Sequence, residues 1–325
     1  MNKKLLCLAV MAVMAALGAH ARGTFDHDAN FQWELSGDGS SVIVTGYTGD
    51  SADVWIPPRI QGLPVTGIGD HAFSDEGMGD GFVQASRQFT SVIIPNTVTH
   101  IGEEAFRGSL LSEVTIPESV AHIALGAFCS NRLESVRIAN GATHIGDWAF
   151  CCNQLTSVNF GDNVVAIGEG AFHDNLLTCV NMPDSVAYIG FMAFADNHLT
   201  AVRIPDSVSY IGGAAFLNNY LASVDISDNV AVIGFGAFAV NYLTSVRIPY
   251  AVTHIGDAAF AMNPLTSISI GSDVIIGDAL PYFPSDIFST SFAEFYKNMG
   301  RMAGTFIFTS GVWSVQFRGQ IADNR

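Results

Sequence analysis

The sequence predicts a curved solenoid, with parallel strands on its concave face, short helical turns opposite, and a cap at each end. The main observation is an Ala-Phe pair that recurs every 22 residues. A second is the alternation of apolar and polar residues at the start of each repeat, which is the period of a strand. Repeats of roughly 20 to 30 residues are typical of solenoids, in which each repeat forms one coil. The repeating phenylalanines are Phe106, Phe128, Phe150, Phe172, Phe194, Phe216, Phe238 and Phe260.

Composition excludes several classes of protein. Of the 325 residues, 49% are hydrophobic and 14% are charged, which is too apolar for a disordered chain. Acidic residues outnumber basic ones by 30 to 14, giving a formal net charge of −16. Such a chain repels phosphate backbones, so we expect no nucleic-acid partner.

Residues 1–21 are predicted to be a signal peptide. Lys3 and Lys4 precede an apolar run at residues 5–17, and an Ala-His-Ala sequence ends at Ala21. A basic start, a short apolar run and a small-residue end are the three parts of a secretory signal. No later apolar stretch is long enough to span a bilayer. We therefore expect an exported mature chain with no transmembrane segment.

The remaining elements follow in order along the chain. Residues 22–51 are predicted to form an N-terminal β-hairpin cap, and residues 52–276 the repeats, with an acidic insertion at 74–87. The insertion either contacts a partner or is tolerated decoration. Residues 277–325 are predicted to form an α/β C-terminal cap, with a helix near residues 290–298 and a hairpin near 304–316. Caps are expected because the terminal coils of a solenoid would otherwise expose their core.

Each coil is predicted to begin with a strand, as in residues 155–160 (LTSVNF), where Val158 and Phe160 point inward. A Val-x-x-Ile-Gly bend follows, and then a short helical turn that carries the inward Phe. An asparagine precedes the next strand, where its side chain can hydrogen-bond the backbone of adjacent coils. These asparagines are Asn131, Asn153, Asn175, Asn197, Asn219, Asn241 and Asn263.

The pattern L-x-x-V-x-I-P-x-x-V-x-x-I-G-x-x-A-F-x-x-N resembles the BspA-like subclass of bacterial leucine-rich repeats across roughly residues 52–276. The C-terminal segment around Phe292, Phe306 and Trp313 is similar to that of treponemal members. The resemblance implies a leucine-rich-repeat solenoid in the periplasm or on the outer surface of a Gram-negative-type bacterium. It also implies adhesion or protein–protein contact, a link to virulence, and no catalytic residues.

One candidate binding site, the strand row, lies between the two inward residues of each predicted strand. It is either a mildly basic patch for an acidic partner, or a set of charges on consecutive coils that pair with one another. Exposed pairs contribute only about 0–1 kcal/mol each, but mutual pairing is the favoured interpretation. The strand row consists of Arg137, Asn159, Asn181, Arg203, Asp225 and Arg247.

A second candidate site, the turn-face cluster, consists of apolar residues where a solvated turn should be polar. These side chains either tuck against neighbouring coils or form an exposed patch, which normally marks an interface. The exposed alternative implies a protein partner or a homo-oligomer. The cluster consists of Leu125, Trp148, Phe191, Met192, Leu217 and Phe235.

Two cysteines occupy the same position in adjacent coils. Cys129 and Cys151 are 22 residues apart, so their Cα atoms are expected within the range that a disulfide needs. Cys152 competes for the same partner. A Cys129–Cys151 or a Cys129–Cys152 bridge is therefore the hypothesis.

No metal and no cofactor is expected. Carboxylates beside the strands suggest calcium, but their once-per-coil spacing favours turn capping. Stacked histidines suggest a transition metal, but an exposed ladder of stacking rings is the favoured interpretation. The carboxylates are Glu118, Asp162, Asp184, Asp206 and Asp228, and the histidines are His100, His122, His144 and His254.

These features predict a noncatalytic protein-binding function, with adhesion to host extracellular-matrix or cell-surface proteins as the leading hypothesis. The chain contains no G-x-S-x-G, H-E-x-x-H or Walker sequence. One alternative is a periplasmic scaffold or self-assembling structural protein. Another is a carrier of a small apolar ligand, suggested by the surplus of aromatic residues.

Overall fold

The computed structural model describes residues 28–74, 89–277, 289–309 and 312–316. The predicted signal peptide and most of the predicted insertion lie outside these residues. Within the described ranges, no helix has the length and apolar character needed to cross a membrane.

The described chain forms a solenoid of about ten turns with parallel strands, as the repeat predicts. One group of strands, the first ladder, comes from the alternating Val-x segments and pairs in parallel between successive coils. Its strands are β3 (Asp53–Trp55), β6 (Ser91–Ile93), β8 (Glu113–Thr115), β10 (Ser135–Arg137), β12 (Ser157–Asn159), β15 (Ala201–Arg203), β17 (Ser223–Asp225), β19 (Ser245–Arg247) and β21 (Ser267–Ile270).

The second ladder is formed at the bends, where an Ile precedes a Gly in nearly every coil. It is continuous, because every neighbouring pair from β5 to β22 is hydrogen-bonded in parallel. Its strands are β5 (Leu63–Ile68), β7 (His100–Ile101), β9 (His122–Ile123), β11 (His144–Ile145), β13 (Ala166–Ile167), β14 (Tyr188–Ile189), β16 (Tyr210–Ile211), β18 (Val232–Ile233), β20 (His254–Ile255) and β22 (Ile275–Ile276).

The first ladder is interrupted at the coil that contains Val180. The sequence predicts a strand there, but the segment forms none, and the ladder divides between β12 and β15. It divides a second time between β17 and β19, although both of these strands form. Val180 is nevertheless buried. The inward position therefore follows the repeat even where the strand hydrogen bonds do not form.

The segments predicted as short helical turns are tight turns instead. One residue in each, directly before the Ala-Phe pair, adopts a left-handed conformation, which ends any right-handed helix. Gly126 and Gly170 do so with φ of 59° and 56°, and the non-glycine residues Trp148 and Met192 with 56° and 54°. These turns are joined between coils by further backbone hydrogen bonds, in which each Phe N–H donates to the Ala carbonyl of the next coil, as from Phe150 at 2.8 Å.

The core of the solenoid is a column of parallel phenylalanine rings. Phe194 is fully buried, and its ring centroid lies 5.4 Å from that of Phe172 and 5.5 Å from that of Phe216. The interplanar angles of these two pairs are 5° and 7°. Because successive coils repeat at nearly the same orientation, each ring stacks on its equivalent above and below.

The predicted asparagine ladder is confirmed. The Asn153 amide oxygen accepts from Leu133 N at 3.0 Å, and its nitrogen donates to Phe128 O at 2.9 Å in the preceding coil. The same nitrogen also lies near carbonyls of its own turn. Each asparagine thus satisfies buried backbone groups on two coils at once.

Antiparallel hairpins lie at both ends of the described repeats. At the N-terminal end, the hairpin of β1 (Phe31–Leu35) and β2 (Val42–Tyr47) follows a 3-10 turn at Asp28–Asn30 and joins β5 in parallel. A short strand β4 (Arg59–Ile60) pairs with β5.

At the C-terminal end, helix α1 (Ser289–Asn298) precedes β23 (Gly304–Thr309) and β24 (Val312–Gln316). Strand β23 pairs antiparallel with β21. Phe292, Tyr296 and Phe306 are almost fully buried. The elements agree with the predicted composition of the two caps, and their capping role stays a prediction.

Candidate binding faces

The strand row is exposed along the first ladder, because alternate residues of a strand point to opposite sides. All six of its residues are exposed. The arginine side chains keep large exposed fractions, which are 61% for Arg137, 54% for Arg203 and 56% for Arg247.

Each arginine of the strand row forms an ion pair, but not with the partner that was favoured from the sequence. Arg203 lies 3.1 Å from an oxygen of Asp184, and Arg247 lies 2.7 Å from Asp228. These carboxylates belong to a turn of the preceding coil, whereas the favoured interpretation paired Arg203 and Arg247 with Asp225. A long arginine side chain reaches diagonally to the preceding coil, so its partner is not the residue directly beside it in register.

Arg137 follows the same arrangement, with its guanidinium 3.2 Å from Glu118. Glu118 also accepts a hydrogen bond from Asn140 N at 3.0 Å, and Asn140 in turn accepts one from Asp162 N at 2.9 Å. The contact of Glu118 with Asn140 N is the turn capping expected of the acidic residues, whereas Asp184 and Asp228 pair with arginines.

The strand row therefore presents neutralised arginines rather than a basic patch. The hydrogen bond that Arg203 donates to Asp184, with the charge of that carboxylate, raises the pKa of Arg203. A guanidinium has five N–H donors, and one carboxylate uses at most two of them. Each arginine accordingly keeps donors that can bind a partner.

The turn-face cluster is only partly exposed. Leu125 and Phe235 are exposed by 40% and 39%, and the other four side chains are half-buried. The rings of Phe191 and Phe235 lie 5.6 Å apart although their coils are not adjacent. Gly213 stands between them, and a Cβ there would lie 2.6 Å from the Phe235 ring. The absence of a side chain at Gly213 brings these two rings together.

The rest of the cluster is divided. The Trp148 indole lies across Gly170, where a Cβ would be 2.3 Å from the ring, and 5.6 Å from the His173 ring. Trp148 thus tucks against the next coils, while Phe235 and Leu125 remain available on the surface. Each of the two alternatives from the sequence describes part of the cluster.

In three consecutive coils, the residue directly after the buried asparagine in the sequence is aromatic, and these residues form a further column. His198, Tyr220 and Tyr242 stand on consecutive coils, with centroid distances of 5.3 Å and 5.9 Å. Tyr220 and Tyr242 are exposed by 50% and 57%. The 22-residue register places all three in one column, so aligning the repeats could have identified His198 with the tyrosines.

The histidines predicted as a stacking ladder are all exposed at the ends of second-ladder strands. The rings of His122 and His144 lie 5.3 Å apart. Thr143 and Thr253 hydroxyls lie 2.9 Å from Nδ1 of His144 and His254.

The cysteines of adjacent coils also meet. The structure joins Cys129 and Cys151 as a disulfide, with Cα atoms 4.8 Å apart. Cys152 and Cys179 are free and exposed. The Sγ atoms of Cys129, Cys151 and Cys152 all lie within 4.8 Å of one another. The bridge agrees with one of the two pairings expected from the sequence, and its formation in solution stays a prediction.

Parallel coils of 22 residues, a buried asparagine ladder and an exposed strand row define a leucine-rich-repeat solenoid. The chain belongs to the BspA type leucine rich repeat region family, whose model matches residues 66–198 and 166–283 with 6 copies of the repeat. Proteins of this family are typically exported or displayed on the cell surface. They serve as protein-interaction scaffolds and are generally noncatalytic.

Solved structures of bacterial leucine-rich-repeat proteins are similar to this chain. A leucine rich cell surface protein from Faecalibacterium prausnitzii is 26% identical, with 78% of this chain and 90% of that chain covered and a TM-score of 0.40. The leucine rich repeat protein of T. pallidum is 24% identical over 67% and 89% of the two chains, with a TM-score of 0.45. The pneumococcal vaccine antigen PcpA is 18% identical over 78% and 85%, with a TM-score of 0.51. A comparison with curated proteins finds no match.

Proposed function

We propose that this chain is an exported, noncatalytic adhesin that binds a host extracellular-matrix or cell-surface protein through the strand row. The observation that carries the proposal is the regular display of exposed arginine–carboxylate pairs along the first ladder. The family supports protein binding in general, and the choice of face and partner class is our own.

The dimensions of the first ladder suit a protein partner. Ten coils spaced by about 4.8 Å give a face roughly 43 Å long. A specific interface needs about 800 Å² on each partner, which a face of this length can supply with the flanking turns.

The chemistry of the strand row also suits a protein. Arginine is enriched among the residues that dominate binding energy. Arginine–carboxylate pairs of both signs favour a partner of mixed charge, since complementary potentials give specificity and orientation more than affinity. Asn159 and Asn181 separate Arg137 from Arg203 and add neutral amide groups.

The test has two parts, location and binding. Intact source cells are treated with a nonpermeant protease, with a periplasmic protein as the control. Degradation of this chain while the control survives supports surface display. Survival until the outer envelope is broken would contradict adhesion and favour a periplasmic location.

Binding is then measured on immobilised extracellular-matrix proteins. The Arg137→Ala/Arg203→Ala/Arg247→Ala variant is expected to bind at least about tenfold more weakly, which corresponds to about 1.4 kcal/mol. The matched control is Phe191→Ser/Phe235→Ser, which alters the turn-face cluster and should bind as the parent does. The opposite pattern would move the site to the turn-face cluster.

A periplasmic scaffold or self-assembling structural protein is the second candidate function, and the exposure of Leu125 and Phe235 favours it. Light scattering over a range of concentrations tests it, because a monomer throughout would exclude self-assembly. A carrier of a small apolar ligand, suggested by the surplus of aromatic residues, stays a further alternative. Mass spectrometry of co-purified lipid tests that idea.

A further inference from the structure

Three cysteine sulfurs gather at one point on the turn side of the solenoid. Cys129 and Cys151 directly follow the stacked phenylalanines of adjacent coils and are buried, and Cys152 is exposed beside them. Their Sγ atoms lie within 4.8 Å of one another. This cysteine cluster lies outside the strand row.

The backbone holds all three cysteines in place. Ser130 N donates to Cys151 O at 2.9 Å, and Cys152 N donates to His173 O at 2.9 Å, which ties three coils together at this point. Cys152 adopts the left-handed conformation that recurs in its column, with φ of 53°. The sulfurs are therefore positioned by the scaffold rather than by a flexible loop.

We infer that these three cysteines bind one thiophilic d10 cation of the zinc class when the Cys129–Cys151 bridge is reduced. Thiolates select zinc and similar soft cations over calcium and magnesium. With zinc–sulfur bonds of about 2.3 Å, tetrahedral sulfurs lie about 3.8 Å apart. The three sulfurs lie within 4.8 Å of one another, so their separations are of the order that one bound cation requires.

A candidate fourth ligand comes from the next coil. Asp174 occupies the position of Cys152 one coil later, 22 residues along the chain. An aspartate oxygen is an accepted zinc ligand and would complete a tetrahedron of three sulfurs and one oxygen. The site would thus combine the three cysteine sulfurs with the carboxylate of Asp174, which lies in the same column as Cys152.

The Cys129–Cys151 disulfide and the bound cation exclude each other, because both need the same two sulfurs, so the site responds to redox conditions. A small dithiol supplies two electrons and two protons, the Cys129–Cys151 bond breaks to give two thiols, and the dithiol becomes a disulfide. The three thiols then release three protons as their thiolates bind the cation.

The test uses the full chain with Cys7→Ser, so that the thiols present are the four others. The protein is reduced with a phosphine and titrated with Cd²⁺, whose bonds to sulfur give an ultraviolet charge-transfer band. We expect one Cd²⁺ per chain, competition by Zn²⁺, and no such band from the unreduced protein.

Two variants assign the site. Cys152→Ser is expected to weaken binding by more than about 100-fold, beyond the 10–100-fold that loss of a supporting residue costs. Cys179→Ser changes another exposed cysteine outside the cluster and should bind as the parent does. Melting followed by circular dichroism without metal checks that both variants fold.

Three results with the reduced protein would overturn the inference. They are a reduced protein that gives no sulfur-to-cadmium band, a Cys152→Ser variant that binds as tightly as the parent, and an equal loss on changing Cys179. A band in the unreduced protein of the same intensity would also overturn it, because the bridge should occupy two of the three sulfurs.

Discussion

Replacing Phe194 with alanine removes one ring from the middle of the phenylalanine column. Phe194 is fully buried and stacks on Phe172 and Phe216. Truncating a buried phenylalanine to alanine costs about 3–5 kcal/mol. Two stacked partners are lost here, each contributing about 0.5–1.5 kcal/mol beyond its buried area, so the upper half of that range is expected.

The assay is equilibrium urea denaturation followed by circular dichroism, with Arg203→Ala as the contrast. The Arg203 ion pair is exposed, and its loss should cost less than about 1 kcal/mol. Phe194→Leu should fall between the two, because it keeps most of the apolar volume and loses the ring stacking. If Phe194→Ala and Arg203→Ala had equal effects, the assignment of inward and outward positions would be wrong.

Three further predictions concern the asparagine ladder, the bridge and the N-terminal hairpin. Asn197→Ala leaves backbone groups of two coils without partners and should lower the free energy of unfolding by about 1–3 kcal/mol, measured by the same denaturation. A cost no larger than that of an exposed substitution would contradict the ladder. Peptide mass mapping without reductant should recover Cys129 linked to Cys151, and a bridge closing a 22-residue loop should stabilise the chain by about 3 kcal/mol. Finding every thiol free would exclude the bridge. Hydrogen bonds from the Ser40 backbone and from serine hydroxyls lower the pKa of Asp38 to about 2, so its stabilising effect is present above the ordinary aspartate pKa and is lost as the pH falls through about 2. Carboxyl NMR titration checks this value, and Ser40→Ala should raise it; an unchanged value would remove the hydroxyl from the explanation.

The repeat made the interior of the molecule predictable. Every 22 residues the same side chain returns to the same position in the next coil, so an apolar residue such as Phe194 must stack on its equivalents. The same reasoning placed Asn197 against the backbone of adjacent coils. These positions are set by residue type and register, because a buried ring or amide has one arrangement that fills the space and satisfies its hydrogen bonds.

The surface was predicted less well, because long side chains reach beyond their own register position. Arg203 was expected to pair with charged neighbours in the strand row, yet it reaches Asp184 in the turn of the preceding coil. Phe191 and Phe235 meet across Gly213, because the intervening coil has no side chain at that position to separate the two rings. Sequence spacing gives the neighbours of a backbone position, whereas these contacts depend on the length and direction of each side chain.

The sequence alone thus determined the coil, its period, the inward phenylalanines and the buried asparagines, since each follows from a repeated residue at a fixed spacing. Only the tertiary structure decided that the turns contain residues in the left-handed conformation, such as Trp148, and are therefore not helical. It also decided that the strand at Val180 does not form. Backbone conformation in the turns depends on hydrogen bonds between coils, which no single repeat contains. The gathering of Cys129, Cys151 and Cys152 combines both, because register aligns the first two and the left-handed turn places the third beside them.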